Sequence, residues 1–283
     1  MPLEAYNNSE RPKSLCLIAG LGELPALVSS EAKKKGYNVI GIALQPPADD
    51  TLKPFVDDFH KVRIGQLGRL ISLLKKLSVS EVVLAGKVPK NLLYRNKRDL
   101  IPDARALKLL FSLKDRSDDT IMTAFVNELQ KEGFRILNIT AFTKNLLTPE
   151  KILTHKKPTK TELQDIEFGW KIAKKLGMLD IGQTVVIKDK AVMAVEAIEG
   201  TDEAITRGGH LAKGGAVVIK VSKPGQDMRF DVPVVGNSTI ITMKKAKAGV
   251  LAVEANKTII LDMKDFIKEA DKSGLVVIGV KNA

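Results

Sequence analysis

The chain is poor in cysteine, histidine and aromatic residues. Among its 283 residues there is one cysteine, there are three histidines, and aromatics make up 5%. A single thiol excludes an internal disulfide framework and fits a reducing compartment. Cys16 lies in the apolar run Ser14 to Ala19, so a buried thiol is expected rather than a nucleophile. Cys16 with His60, His155 and His210 does not make a zinc set, and any metal should be a hard, oxygen-ligated one such as magnesium. So few aromatics leave little to stack single-stranded bases, and nucleic acid is not an expected partner. No apolar run reaches the length of a membrane span. The first residues, MPLEAYNNSERPK, are polar and include Glu4 and Glu10, unlike a signal peptide. A soluble, cytoplasmic protein is expected, with at most peripheral contact with the inner membrane surface.

What the chain has is positive charge. Lys and Arg number 45 against 33 Asp and Glu, a formal charge of +12. Such an excess admits nucleic acid, an anionic membrane or an anionic substrate. The lysines come in short groups, at 33–35, 75–76, 156–157, 174–175 and 244–245, mostly on helical patterns with an apolar opposite face. A solvated coat accounts for most of them. Hydrophobic content of 44% with 28% charged residues is ordinary globular composition, and the length predicts roughly two domains.

The first half reads as a Rossmann-like α/β domain over residues 1–146. Ser14 to Ala19 predicts a buried strand, Gly20-Leu21-Gly22 a turn, the following residues a helix to about Lys35, and Asn38 to Leu44 a second strand. This βαβ unit has a phosphate-friendly helix start. It is not a dinucleotide fingerprint, because Pro25 stands at the third glycine and Leu44, Gln45 and Pro46 stand where a ribose-binding acid belongs. Further strands end at Gly65 and at Gly86-Lys87, which predicts one ligand-binding edge with Gly20 to Gly22. Ser117-Asp118-Asp119 is an N-cap signal for a helix over 120–132, which explains one of the two acids and leaves the adjacent second available to a ribose or base. Phe134 to Ile139 predicts a strand, and the polar, proline-bearing stretch 145–161 a domain linker.

The second half, 147–283, reads as another α/β domain. A helix over 161–176 precedes a strand pair, 184–188 and 191–197, with a tight turn at Asp189-Lys190. Gly200, Thr201, Asp202 and Glu203 supply ordinary helix-start chemistry, whereas Glu196 and Glu199 need another reason. AVMAVEA at 191–197 is echoed by GVLAVEA at 249–255, which puts Glu196 and Glu254 in comparable places. The stretch 217–236, VVIKVSKPGQDMRFDVPVVG, passes from a β-branched run to Lys220, Lys223, Gln226, Asp227, Arg229 and Asp231. In an extended segment Asp227, Arg229 and Asp231 share a side, a row suited to a hard cation and phosphate. A solvated ion-pair face on an edge strand reads the same.

LIAGLGELP, GQLGRL, LAGKV, DDTIM, LDIGQTVV, VEAIEGTDE and KPGQDMRFDVPVVG occur in this order, and with them the chain resembles the UDP-2,3-diacylglucosamine pyrophosphatase family of lipid A biosynthesis. The two-domain type is meant, not the calcineurin-like type. The resemblance implies magnesium-dependent hydrolysis of the diphosphate of UDP-2,3-diacylglucosamine to UMP and 2,3-diacylglucosamine 1-phosphate (lipid X), and suggests attack at the β-phosphorus. It implies a Rossmann-like N-terminal domain, a second α/β domain, a substrate cleft between them, and a homodimer. It places the essential aspartate at Asp231, with Lys223 and Gln226 at neighbouring family positions and Asp227 as the less certain acid. Gly200, Thr201 and Asp202 match the EGTD element, with Glu196 and Glu199 upstream. With Arg229 added because a guanidinium can grip two phosphate oxygens at once, the expected catalytic set is Asp231, Lys223 and Arg229, and the expected metal set is Asp231, Asp227, Glu196 and Glu199. The substrate set is Gly20, Leu21, Gly22, Gly65, Gly86, Lys87, Asp118, Asp119, Gly200, Thr201, Asp202 and Gln226. The rival readings are a Rossmann-type sugar-nucleotide or dinucleotide enzyme and a non-catalytic basic protein binding RNA or anionic membrane.

Overall fold

A computed structural model describes residues 13–46, 48–88, 101–115 and 118–281, with the side chain of Asp118 outside the description. The chain forms two compact units, Met1–Asn138 and Ile139–Ala283.

In the first unit, β1 (Ser14–Ala19), β2 (Asn38–Gln45), β3 (Asp58–Arg63), β4 (Glu81–Ala85) and β5 (Arg135–Ile136) make a parallel sheet in the order β3-β2-β1-β4-β5. The central strands are apolar throughout because helices cover both faces of such sheets. Between β1 and β2 runs α1 (Leu24–Lys34), with Pro25 in its first turn. Proline suits that place, where no backbone N–H is needed, so the residue that breaks the dinucleotide pattern starts the helix. α2 (Leu67–Lys76) leads to β4, and α3 (Ala104–Phe111) and α4 (Asp118–Lys131) to β5. The strand expected over 134–139 is paired only at Arg135–Ile136. Of the expected N-cap run Ser117-Asp118-Asp119, Ser117 lies outside the described residues.

In the second unit a short α5 (Thr140–Thr143) precedes α6 (Lys160–Met178), which opens with a capping box between Thr159 and Glu162. β6 (Thr184–Lys188), β7 (Ala191–Val195), α7 (Thr201–Ala212), β8 (Val217–Lys220), β9 (Val234–Val235), α8 (Asn237–Lys245), β10 (Val250–Glu254), β11 (Ile259–Ile260), α9 (Met263–Lys272) and β12 (Val276–Val280) follow. The main sheet has the order β12-β10-β8-β6-β7, parallel except that β6 is antiparallel to both neighbours. β7 therefore runs with β8, and the carboxyl ends of β7, β8, β10 and β12 share one edge. Trp170 and Ile166 of α6 pack on one sheet face, and Ile205, Met243 and Phe266 of α7, α8 and α9 on the other. The helices approach closely: a Cβ on Gly208 would lie 2.6 Å from that of Val186. The turn at Asp189-Lys190 forms as expected, both residues at positive φ, and buried Asp165 accepts their amides at 3.0 and 2.7 Å.

The stretch 145–161, where the linker was expected, is hydrogen-bonded to the second unit. Thr148 is buried and donates its amide to the Thr258 carbonyl at 2.8 Å, Leu153 donates to Val277 at 2.8 Å, and Gly279 donates to Lys151 at 2.9 Å. Those bonds stitch the segment to the second unit's own strands. Among the described residues no helix is long and apolar enough to cross a membrane.

Candidate active site

The second unit collects its charged side chains at the carboxyl edge of its sheet. Lys220, the last residue of β8, is buried and donates Nζ to the Thr201 hydroxyl at 2.9 Å. That hydroxyl donates to Glu196 Oε1 at 2.9 Å, and the Gln183 amide reaches Glu196 Oε2 at 3.4 Å. A buried ammonium is tolerable only where partners replace water, and this chain of bonds supplies them. Beside it, Glu254 ends β10. It accepts the Ser222 amide at 2.7 Å, the Ser222 hydroxyl at 2.9 Å, and the Lys174 ammonium, which also donates to the Ser222 carbonyl at 2.9 Å. Burial pushes the Glu254 carboxyl up, but the bonds from Lys174 and Ser222 outweigh it and hold the carboxyl below its ordinary value. Both polar groups of the Ser222 backbone are thus tied down where the next turn begins.

That turn carries the expected catalytic residues. The Lys223 amide donates to Gln226 Oε1 at 2.9 Å, the Gln226 amide returns to the Lys223 carbonyl at 3.1 Å, and Gly225 supplies a φ of +75°. Lys223 Nζ pairs with Asp180 and lies 3.6 Å from Asp231 Oδ2. The stretch from Asp227 to Asp231 is not extended, because the Asp227 carbonyl accepts the amides of Phe230 at 3.2 Å and Asp231 at 2.9 Å. The row of three charges on one side is therefore replaced by two separate partnerships. Arg229 Nε grips both oxygens of Asp227, at 2.9 and 3.0 Å, which holds that carboxyl low and raises the guanidinium. Asp231 faces Lys223.

The expected set of four metal carboxylates does not assemble either. Asp227 is taken by Arg229 and Glu196 by Thr201, while Glu199 pairs with Arg207 at 2.6 Å. Among the described residues no three His, Cys, Asp or Glu side chains converge as a metal site. Gly200, at φ +87°, precedes α7, and Asp202 is an exposed member of its first turn, where an acid complements the helix dipole. Neither Asp180 nor Glu254 was singled out for a site from the sequence. Asp180 sits inside the quoted LDIGQTVV segment, and Glu254 inside the echoed GVLAVEA, so each had a signal.

In the first unit the glycine turns after β1 and β4 do meet. Leu21 and Lys87 exchange backbone bonds of 2.8 and 2.9 Å, and the Gly20 amide donates to the Ala85 carbonyl at 2.9 Å. Only a glycine fits there, since a Cβ on Gly20 would stand 2.5 Å from the Lys87 carbonyl oxygen. The amides of Gly20, Leu21 and Lys87 are thereby committed to backbone partners, not held out for phosphate. Gly65 follows β3, which runs parallel to β2, and so lies at the same carboxyl edge of the sheet. Its carbonyl accepts the Asp103 amide at 3.0 Å, and the Asp103 carboxylate takes the Gly68 amide at 2.7 Å and the Ala106 amide at 2.9 Å. One acid thus caps both α2 and α3. Beside Gly20 and Gly22 lies a recess of about 10 Å³, also lined by Asp49 and Thr51, with room for about one water. Asp49 accepts the Thr51 amide at 3.0 Å and hydroxyl at 2.6 Å, which hold its carboxyl low. Asp119 lines a different groove, with Ser112, Lys114 and Asn127.

The LpxI N-terminal domain family matches residues 14–146, and the LpxI C-terminal domain family matches residues 149–278. The chain belongs to the LpxI family. A curated LpxI from Caulobacter vibrioides, named UDP-2,3-diacylglucosamine pyrophosphatase, is 33% identical over 279 residues, covering 95% of this chain and 98% of that protein. The Lys223 turn and all its partners fall within the LpxI C-terminal domain. Solved structures offer slighter likenesses. One is the biotin carboxylase domain of a Hydrogenobacter thermophilus 2-oxoglutarate carboxylase (13% identity, TM-score 0.26, 72% of this chain and 42% of that one). Another is an N5-carboxyaminoimidazole synthetase from Staphylococcus aureus (15% identity, TM-score 0.24, 62% of this chain and 38% of that one). This chain spans less than half the length of either, and neither bears on the site.

Proposed function

We propose that this LpxI-family hydrolase cleaves the diphosphate of UDP-2,3-diacylglucosamine, with magnesium, to UMP and 2,3-diacylglucosamine 1-phosphate in lipid A biosynthesis. The observation that carries the reading is Asp231 facing Lys223 across 3.6 Å, in a turn whose other acid is neutralised by its own arginine. Diphosphate hydrolysis is mostly positioning and electrostatic stabilisation. Lys223 offsets charge on the phosphoryl oxygens, and Asp231 accepts a hydrogen bond from the attacking water and orients it toward the β-phosphorus. The water oxygen then ends on the sugar phosphate, and UMP leaves. Magnesium takes one or two carboxylates with substrate oxygens and water. One exposed-edge carboxylate, Asp231, suits an ion that arrives with the diphosphate, where a three-acid cage would not form. Bound there, the ion would neutralise charge on the diphosphate. A homodimer and peripheral contact with the inner membrane belong to the same proposal.

Asp231→Ala tests it. The variant should fold as the parent does and lose magnesium-dependent UMP release by roughly 10²–10⁴-fold, the range for a positioned acid–base group. Mass spectrometry of the purified variant should find the uncleaved nucleotide-lipid. Turnover at the parental rate would remove Asp231 from the mechanism.

A further inference from the structure

Two acids meet the Lys223 ammonium, and they stand at different distances. Asp180 Oδ1 is 2.5 Å from Nζ, whereas Asp231 Oδ2 is 3.6 Å away. The first contact is a hydrogen-bonded ion pair, and the second lies beyond hydrogen-bond reach. Only 12% of the Lys223 side chain is exposed, which sets the pair apart from surface ion pairs of little weight. The nearer acid is also held firmly. A Cβ on Gly177 would lie 3.2 Å from Lys223 Cα, so the end of α6 rests on the Lys223 turn. Asp180 follows with φ at +53°, uncommon for a residue other than glycine, and its amide donates to the Gly177 carbonyl at 3.2 Å. Beyond it, a Cβ on Gly182 would stand 2.1 Å from the Glu196 carbonyl oxygen. The Val221 amide donates to the Gln183 carbonyl at 3.0 Å, and Gln226 Nε2 donates to Gln183 Oε1 at 3.4 Å. Residues 180–183 are thus pinned against the turn that carries Lys223 and Gln226.

We infer that Asp180 is a positioning residue for the hydrolysis: it keeps the Lys223 ammonium off Asp231. The inference rests on the function proposed above. While Asp180 holds the ammonium, their charges cancel, and Asp231 keeps its own charge and lone pairs for the attacking water or for an ion arriving with the diphosphate. Nζ meanwhile stays beside Asp231, where it can offset charge on the phosphoryl oxygens. Without Asp180, the attraction of Asp231 would draw the ammonium into a charge-assisted hydrogen bond with it. A lysine captured in that way would cover the oxygens that orient the water and would withdraw from the phosphate.

The test is Asp180→Asn. Asparagine accepts the left-handed conformation as aspartate does, so the fold should survive, which urea unfolding checks. The rate of UMP release at saturation, kcat, should fall by roughly 10²-fold, the scale of a misplaced reacting group, with KM changed far less. In the crystal structure of the variant, Lys223 Nζ should have closed to hydrogen-bond distance from Asp231. In a Lys223→Met background the same substitution should add little further loss, because no ammonium is left to misplace; a double-mutant cycle measures this coupling. A parental kcat in Asp180→Asn overturns the inference. So does a variant crystal structure with Nζ still apart from Asp231. A full second loss in the Lys223→Met background overturns it too, and makes Asp180 a support for the fold. If the parent releases no UMP, the proposed function itself has failed, and the Lys223–Asp231 distance in the variant still decides what Asp180 does to the lysine.

Discussion

Glu254 shows how a single acid can shape a site without facing the substrate. It accepts the amide and hydroxyl of Ser222 and the ammonium of Lys174, so its loss would leave a buried amide unpartnered and strip a half-buried ammonium of its counter-charge, with the Ser222 carbonyl still accepting from it. Glu254→Ala should destabilise the protein by about 3 kcal/mol, as for breaking a buried pair, and should lower kcat more than it raises KM. Glu254→Gln keeps acceptors for Ser222 and should fall between the two. Urea unfolding together with kinetics checks this, and an alanine variant as stable as the parent would mean the Ser222 clamp holds nothing. Lys223 and Asp231 were legible because they lie together in one short, distinctive segment. Asp180, the partner of Lys223, and Glu254, the partner of Lys174, were not, because no local rule says which acid will stand beside a given lysine.

Among the elements, α2, α3 and α4 are joined by Glu132, which pairs with Lys75 near the end of α2 and with Arg105 in the first turn of α3. Those two cations hold its carboxyl at about 2, down from 4.5. Folding thus favours the ionised form. The stability this adds is complete above about pH 4.5 and is lost as the pH falls toward 2. Hydrogen exchange in α3 should quicken over that interval in the parent, and Glu132→Gln should flatten the response. An identical acid profile in the variant would show that the junction is held by packing alone. At this scale the sequence was read well where a local rule applies. The paired positive-φ turn at Asp189-Lys190 is an example. It was misread between Asp227 and Asp231, where alternation was applied to a segment that the Asp227 carbonyl folds into a turn. Alternation of faces follows from a strand's geometry and says nothing once the strand has ended.

For the molecule as a whole, the formal charge of +12 bears on how an anionic substrate arrives. The Debye length shrinks from about 30 Å at 0.01 M salt to about 8 Å at 0.15 M. KM for the diphosphate substrate should accordingly rise several-fold over that range with kcat unchanged, since steering acts on encounter. A KM indifferent to salt would make the lysines a solubilising coat and nothing more. The sequence by itself determined the number of α/β units, the order of strands and helices along the chain, and the family, because periodicity, glycine turns and motif order are local properties. Only the tertiary structure decided which charges meet. Lys223 and Asp180 are 43 residues apart and Lys174 and Glu254 are 80 apart. The order β12-β10-β8-β6-β7 brings the ends of β8 and β10 side by side, and α6 packs across them. Strand order depends on how whole faces bury each other, and that is a property of the assembled core.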